Sequence, residues 1–201
     1  MIIDGQELFL TEEADNELCG EKYQAIIRYA LETCDAFMFV CCYYYNSGIY
    51  KREVKPFVKE LSPLSIKRRQ NSDWPGQRML WEEVSRRYQY SIRFYRSDFS
   101  AYDLLIRPDG FYKWGYPHYP EDITFFRHGY PWLITISHEW DFWIRNPTKE
   151  DRLFFQRLFG RENITIKNYK IDENKRFYEK GISDESRCLP GDAMWKGVPN
   201  G

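Results

Sequence analysis

A continuous run of strand-forming apolar residues, 36–45, constrains the fold more than any other feature of this sequence. Read as a strand, the run AFMFVCCYYY is apolar on both faces. Such a strand is typical of the middle of a sheet that is covered on both sides. We therefore expect a central strand from about Phe37 to Tyr45, ended by the turn-forming residues Asn46, Ser47 and Gly48.

Aromatic residues set the character of the core. They make up 18 % of the 201 residues, with 16 Tyr, 14 Phe and 7 Trp. Each ring buries on the order of 150–250 Å², so a core can be built from few of them. We expect residues 1–170 to form one aromatic-rich domain and the polar residues 171–201 to form a C-terminal tail or irregular wrap. The alternative is that some rings line a ligand or partner surface.

Four segments predict helices: 19–34, 54–61, 78–87 and one that begins after Thr148. For the last of these, Thr148 and Asp151 are spaced as a capping box, and Gly160 stands where a helix ends. Its apolar stripe is expected to be Leu153, Phe154, Leu158 and Phe159.

Strands are predicted at residues 1–10, 88–96, 123–126, 132–138, 140–144 and 163–169. We expect the first to be an edge strand, and the third and fourth to be joined as a hairpin with Gly129 at positive φ. Helices and strands do not alternate as βαβ units. The fold class is therefore α+β, with a mixed or antiparallel sheet and a few packing helices.

The charge is balanced overall but uneven along the chain. The net charge is −1, yet residues 1–21 carry seven acids and no base, and residues 67–96 carry eight bases against three acids. Such runs are usually solvated faces; the alternatives are that the two segments pair internally or that an acidic partner docks on the basic one. The basic run interleaved with Trp and Tyr suits phosphate and base contacts. The global balance argues against a nucleic-acid partner.

A cytoplasmic location is expected. No stretch reaches the 18 or so apolar residues of a membrane helix, and residues 1–5 lack the basic start of a signal peptide. Five cysteines, with Cys41 and Cys42 adjacent, suit a reducing compartment better than a disulfide framework.

The segment Ser137-His138-Glu139 is the most suggestive one for chemistry. In an extended strand, His138 points inward with Trp132, Ile134 and Ile136, while Ser137 and Glu139 point outward. This geometry argues against a Ser–His nucleophile pair. The catalytic candidates are His138 with Glu139, Glu121 or Asp122 as an acid–base pair. The alternative is a histidine that only closes the core face of its strand.

No metal and no cofactor is expected. The three histidines are ten residues apart, and neither H-E-x-x-H nor a pair of C-x-x-C motifs occurs. Cys41 and Cys42 would face opposite sides of one strand. The sequence also lacks the glycine-rich nucleotide-binding motifs and the G-x-S-x-G elbow.

A short stretch resembles a known group. Pro120-Glu121-Asp122, followed by Gly129, Trp132 and Ser137-His138-Glu139, is similar to a segment of uncharacterised bacterial proteins that share a P-E-D, aromatic, G, W, S/A-H-E pattern. The tripeptide Trp74-Pro75-Gly76 is similar to theirs as well. The group has no assigned activity and so implies no catalytic residue. The resemblance implies a small stand-alone cytoplasmic bacterial protein, of the kind found as an immunity partner or accessory beside a toxin gene.

Two functions from different classes follow. The preferred one is a non-enzymatic module that binds a protein partner, an immunity-type or accessory protein being one form of it. Residue types common at binding hot spots make Trp74, Trp132, Arg68, Arg69 and Arg93 the candidate binding residues. The alternative is a small enzyme of unrecognised class that uses His138 with a nearby carboxylate. A third reading, in which the His-Glu segment only orders the hairpin, stays open.

Overall fold

The computed structural model describes residues 2–42, 54–71, 74–75, 90–115 and 117–172, in which one eight-stranded antiparallel sheet dominates. The strand order is β3-β4-β2-β5-β6-β7-β1-β8. The strands are β1 (Ile2–Leu10), β2 (Ala36–Cys42), β3 (Ser65–Asn71), β4 (Tyr90–Arg96), β5 (Glu121–Arg127), β6 (Tyr130–Ile136), β7 (Asp141–Arg145) and β8 (Ile164–Asp172). The α-helices are α1 (Glu12–Asp15), α2 (Gly20–Thr33), α3 (Val54–Glu60), α4 (Tyr102–Leu105) and α5 (Lys149–Phe159). The class is α+β, with the sheet as its larger part.

Strand β2 is central, as predicted. It pairs with β4 on one side and β5 on the other. Phe37 and Phe39 enter the core on one face, and Met38 and Val40 enter a separate cluster on the other, with all four side chains fully buried. Residues 43–48, the predicted end of this strand and its turn, lie outside the described residues.

The described helices pack on one face of the sheet and complete an aromatic core. Helix α2 contributes Tyr23, Ile26, Ile27, Ala30 and Leu31. Phe39 packs against Tyr95 and Trp114 with ring centroids 5.2 and 5.1 Å apart. Trp114 lies in the turn-rich stretch before β5, which packs down onto the core because its aromatic residues are buried there.

The opposite face carries two smaller apolar clusters. In the first, Met38 and Val40 of β2 meet Ile92 and Phe94 of β4 and the indole of Trp74. In the second, Ile134 and Ile136 of β6 meet Trp143 of β7. The candidate site begins on this face, at the end of β6.

The two edges of the sheet differ from expectation. Strand β1 lies between β7 and β8 and is not an edge, because β8 pairs with it along nine consecutive residues. The edges are β8 and β3. Strand β3 was not predicted, since Lys67, Arg68 and Arg69 break any apolar alternation. Charged residues of this kind are common on edge strands, where they oppose pairing with other chains.

Two local predictions are confirmed and one is corrected. The β5–β6 hairpin turns at His128 and Gly129, with φ of 52° and 80°, and Thr148 and Asp151 form the capping box of α5. The stripe of α5 is rotated from expectation: Phe155 is buried and Leu153 is 40 % exposed. The rotation follows from Asp151, which lies one turn before Phe155 and is drawn inward by Arg127.

Other predictions fall where the structure describes nothing. The predicted helix at 78–87 and the tail from residue 173 onward are outside the described residues. None of the helices in the described part of the chain has the length and apolar character needed to cross a membrane.

Candidate functional site

The site begins with a β-bulge at the start of β5. Val40 of β2 faces Glu121, and Met38 faces Thr124, so that the single residue Phe39 spans both Asp122 and Ile123. Asp122 has a φ of 51°. Aspartate is one of the few residues other than glycine that tolerates this left-handed conformation. Bulges of this kind bend a strand and re-aim a side chain, and they are frequent beside functional sites.

The carboxylate of Asp122 joins three separate parts of the chain. The side chain is fully buried, and it accepts a hydrogen bond from the backbone N–H of Ser137 at 2.8 Å. It accepts a second from the indole Nε1 of Trp74, also at 2.8 Å. Burial raises the pKa of Asp122, and these two hydrogen bonds and the nearby His138 only partly oppose the rise.

Glu121 stands next to this buried acid. Burial first, and then the negative charge of Asp122, raise the pKa of Glu121 to about 7, against a lowering influence of His138. The described part of the chain gives the Glu121 carboxylate no hydrogen bond and no ion pair. A carboxyl group that titrates near neutrality at a partly open position is a candidate for proton transfer.

The turn between β6 and β7, residues 137–140, projects from this cluster. Ser137 is buried, and its Oγ has no hydrogen-bond partner among the described residues. His138, Glu139 and Trp140 are exposed. Trp140 has a φ of 60° and is 63 % exposed, so a large aromatic side chain occupies a left-handed position in water.

Tyr112 supports the Trp140 side chain from outside the turn. The two rings pack with centroids 5.1 Å apart. The hydroxyl of Tyr112 donates to Oδ1 of Asp15 at 2.5 Å, which links the turn to helix α1. Burial raises the pKa of Asp15 in spite of this hydrogen bond, and the charge of Asp141 adds to the rise. We name this surface, formed by Asp15, Tyr112, His138, Glu139 and Trp140, the turn surface.

The predicted inward position of His138 is wrong. Strand β6 ends at Ile136, and the hydrogen bond from Ser137 to Asp122 turns the chain there, so Ser137 is buried and His138 points outward. The His138 side chain is 59 % exposed, with Nε2 3.8 Å from Oε1 of Glu139. In the described residues Ser137 and His138 do not hydrogen-bond to each other, and no Ser–His nucleophile pair forms.

The predicted alignment of Trp132 with Ile134 and Ile136 is also wrong. A second register shift, between Phe125 and Phe126, falls opposite Trp132 and breaks the alternation. Trp132 therefore packs in the helix-covered core, whereas Ile134 and Ile136 lie on the other face.

The candidate binding residues are scattered. Trp74 and Trp132 are both only 2 % exposed, and each uses its indole N–H inside the protein, so neither presents a surface to a macromolecular partner. Arg68 and Arg93 face each other across β3 and β4, and Arg68 Nε donates to Ser91 Oγ at 2.8 Å. The Arg69 side chain lies outside what the structure describes.

No metal site is visible in the described residues, since no three His, Cys, Asp or Glu side chains come together in a suitable group. Cys34 is buried, and burial raises the pKa of its thiol to about 12, which makes it a poor nucleophile or ligand.

Sequence reasoning missed the exposed Trp140 and its support by Tyr112. One signal was available: Trp140 follows His138 and Glu139 between two apolar strands, where a polar turn residue is usual. Its positive φ could not be read from the sequence, because Trp has no preference for that conformation.

Comparison of the chain with protein-family models, with curated proteins and with solved structures finds no match. The arrangement of the residues themselves therefore carries the functional argument. The three parts of the quoted resemblance, Trp74-Pro75, Glu121-Asp122 and Ser137-His138, meet at the Asp122 carboxylate.

Proposed function

We propose that the protein is a non-enzymatic protein-binding module whose contact centre is the turn surface. The observation that carries the proposal is Trp140, 63 % exposed on a turn that is fixed at both ends. Tryptophan is the residue type most enriched at binding hot spots. A large aromatic side chain that is exposed in the free protein is solvated unfavourably. Such residues are common on surfaces that a partner protein covers.

The backbone supports the same proposal. A bulky residue at φ of 60° costs on the order of 1–3 kcal/mol and persists only where its surroundings fix it. Here the hydrogen bond from Ser137 to Asp122 fixes the start of the turn, and the Tyr112 ring fixes the Trp140 side chain. A contact residue that is already ordered loses less conformational entropy on binding.

The charges suggest the chemistry of the partner. Asp15 and Glu139 place carboxyl groups on the turn surface, and Glu12 and Glu13 of the adjoining helix α1 are exposed. A partner with basic side chains around an apolar pocket complements this surface and would be steered toward it. An immunity-type or accessory role beside a basic effector is one form of this proposal, and the genes that flank this one in the genome would identify such an effector.

Affinity capture from the native host tests the proposal. Wild type is expected to retain one stoichiometric protein, and Trp140→Ala to bind it at least about 30-fold more weakly, the loss typical of a hot-spot residue. Tyr130→Ala is the matched control, because Tyr130 is 55 % exposed at the opposite end of β6. Failure of wild type to retain any stoichiometric partner, or equal loss in both variants, contradicts the proposal.

A second function has one specific observation in its favour. Glu121, with a pKa of about 7, lies beside the exposed His138, and the two could serve as acid and base. A panel of ester, phosphate and glycoside substrates tests this function. An activity that is lost in Glu121→Gln and His138→Asn but kept in Trp140→Ala would favour the enzyme over the binding module.

A further inference from the structure

Helices α2 and α5 run antiparallel on the sheet and leave a groove between them. Tyr29, in the second half of α2, stacks on Phe154 of α5 with centroids 4.1 Å apart. Lys22, near the start of α2, lies over the ring of Phe159 at the end of α5. The groove has a volume of about 490 Å³. It lies on a different element pair from the turn surface.

The floor of the groove is fixed and apolar. The Tyr29 hydroxyl donates to Oδ1 of Asp151 at 2.8 Å, which holds the Tyr29 ring in place under Phe154. Leu153 stands at the middle of the α5 side and is 40 % exposed. An exposed leucine beside a pair of stacked rings forms an apolar centre that is unfavourably exposed to water.

The charges around this centre are ordered from one end to the other. Because the helices are antiparallel, Glu32 at the end of α2 and Glu150 at the start of α5 lie at one end of the groove. Arg157 of α5 lies at the other end, and Arg28 lies in the middle, next to Tyr29. Among the described residues, Glu32, Glu150 and Arg157 have no ion-pair partner, and Arg28 contacts only Tyr102, at 3.3 Å to its hydroxyl.

We propose that two copies of this chain associate groove to groove about a two-fold axis near Leu153. An axis that crosses the groove at right angles sets α5 against α5, so that Glu150 of each copy lies over Arg157 of the other. It also brings the two Leu153 side chains together at the centre. An acid and an arginine on either side of Leu153 make the α5 side of the groove complementary to itself. A uniformly acidic or basic partner would leave one pair of like charges facing it.

The size of the surface sets the strength of the association. Helices of this length are about 15–20 Å long, so two of them offer on the order of 400 Å² per copy. An interface of this size is below the standard class and belongs with transient complexes, so we expect a dissociation constant above about 1 μM.

Charge reversal with sedimentation equilibrium tests the inference. Arg157→Glu removes the basic group from one end of α5, and Glu150→Arg removes the acid from the other end. Each variant alone is expected to dimerise at least tenfold more weakly than wild type. An equimolar mixture of the two is expected to regain association, because the charges that were reversed then face each other in the mixed dimer. Arg96→Glu and Glu13→Arg, exposed positions away from the groove, are the matched controls and are expected to dimerise as wild type does.

Three results overturn the inference. One is a monomeric wild type up to about 1 mM protein, a concentration that would populate even a weak dimer; the groove would then belong to another occupant. Another is a dimer that persists unchanged in both reversals and in Leu153→Asp, which would place the interface elsewhere. The third is a mixture that associates no better than the single variants. Circular dichroism of each variant establishes that its helices are intact.

Discussion

Two aspartates, Asp122 and Asp151, are buried equally deeply on opposite faces of the sheet, yet their surroundings differ. Both side chains are fully buried. Each accepts one indole N–H, from Trp74 at 2.8 Å and from Trp132 at 3.2 Å. Each also accepts one backbone N–H at 2.8 Å, from Ser137 for Asp122 and from Thr148 for Asp151. Burial and two of the donors are therefore the same.

The two aspartates differ in their contact with a cationic side chain. Asp151 receives Arg127 through two nitrogens, at 2.8 and 3.1 Å, and the hydroxyl of Tyr29 as well. Burial opposes the ionisation of Asp151, but the hydrogen bonds and the charge of Arg127 outweigh it and lower the pKa. Among the described residues no Arg or Lys contacts Asp122, and its pKa is raised. A buried charge without a counter-charge is costly.

Backbone geometry points the same way. Asp151 is the third residue of α5 and completes a capping box, where an acidic residue is favourable in itself. Asp122 is at a bulge with φ of 51°. The arrangement at Asp151 stabilises the fold through an ion pair and a helix cap. The arrangement at Asp122, a buried acid on a left-handed backbone, lowers stability but holds the turn surface in place. Equal burial therefore does not imply an equal role.

The largest effect is expected at Asp151. Asp151→Asn leaves the Arg127 guanidinium without its counter-charge and turns an amide toward several donors. We expect a loss of about 3–5 kcal/mol in the free energy of unfolding, measured by urea denaturation at pH 7. Asp122→Asn removes a carboxyl group that no Arg or Lys of the described residues contacts, keeps one acceptor oxygen and tolerates the left-handed backbone. Its expected loss is about 1 kcal/mol.

Equal losses in these two variants would break the comparison, since they would mean that Asp122 is as well compensated as Asp151. Glu150→Gln is the control, because Glu150 neighbours Asp151 on α5 but is exposed. A small change there shows that removing a surface acid from this helix turn does not by itself explain the loss.

The next effect is a dependence of stability on pH. Glu121 has a pKa of about 7 in the folded protein against 4.5 as its ordinary value. The folded state therefore holds a proton that the unfolded state releases, and stability falls as the pH rises from about 4.5 to 7. Relative to Glu121→Gln, which cannot ionise, wild type is expected to lose about 3 kcal/mol across this window. Above it the difference is constant.

Urea denaturation of both proteins at half-unit steps of pH measures the difference directly. Titrating groups that do not interact with Glu121 cancel in the subtraction. Glu139→Gln, an exposed carboxylate nearby, is the control and is expected to track wild type. If the stability of wild type parallels that of Glu121→Gln at every pH, Glu121 ionises at its ordinary pKa. Its surroundings, including Asp122, would then not hinder its ionisation.

The sequence predicts much of the fold because its local signals agree with the long-range pairing. Helix α2, the capping box of α5 and the glycine of the β5–β6 turn follow from periodicity and residue chemistry alone. The sheet order does not, because pairing is set by contacts between residues far apart in the sequence. Strand β1 has the weak alternation typical of an edge, and only the full-length partner β8 makes it internal.

The site is less predictable for a physical reason. Period-two alternation assumes that every strand residue opposes one partner, and the bulges in β5 and in β6 violate that assumption. One bulge moves Trp132 into the core on the helix side; the other aims Asp122 at the N–H of Ser137 and so ends β6 before His138. Residue chemistry alone brought Glu121, Asp122 and His138 forward as candidates. Nothing in the residue types indicated that Asp122 and Trp74 would be hydrogen-bonded.

The smallest effect expected here compares the two indole donors. Within the described residues, Trp74→Phe removes one of two hydrogen bonds to an aspartate that no Arg or Lys contacts, and Trp132→Phe removes one of several to an aspartate that keeps Arg127. We expect Trp74→Phe to cost about 1 kcal/mol more than Trp132→Phe in urea denaturation at the most alkaline pH tested, where Asp122 is most ionised and depends most on its donors. The gap should narrow as the pH falls and Asp122 gains a proton, because a neutral carboxyl loses less when a donor is removed. If the difference in stability between the two variants stays constant with pH, it comes from packing of the Trp74 ring and not from the charge of Asp122.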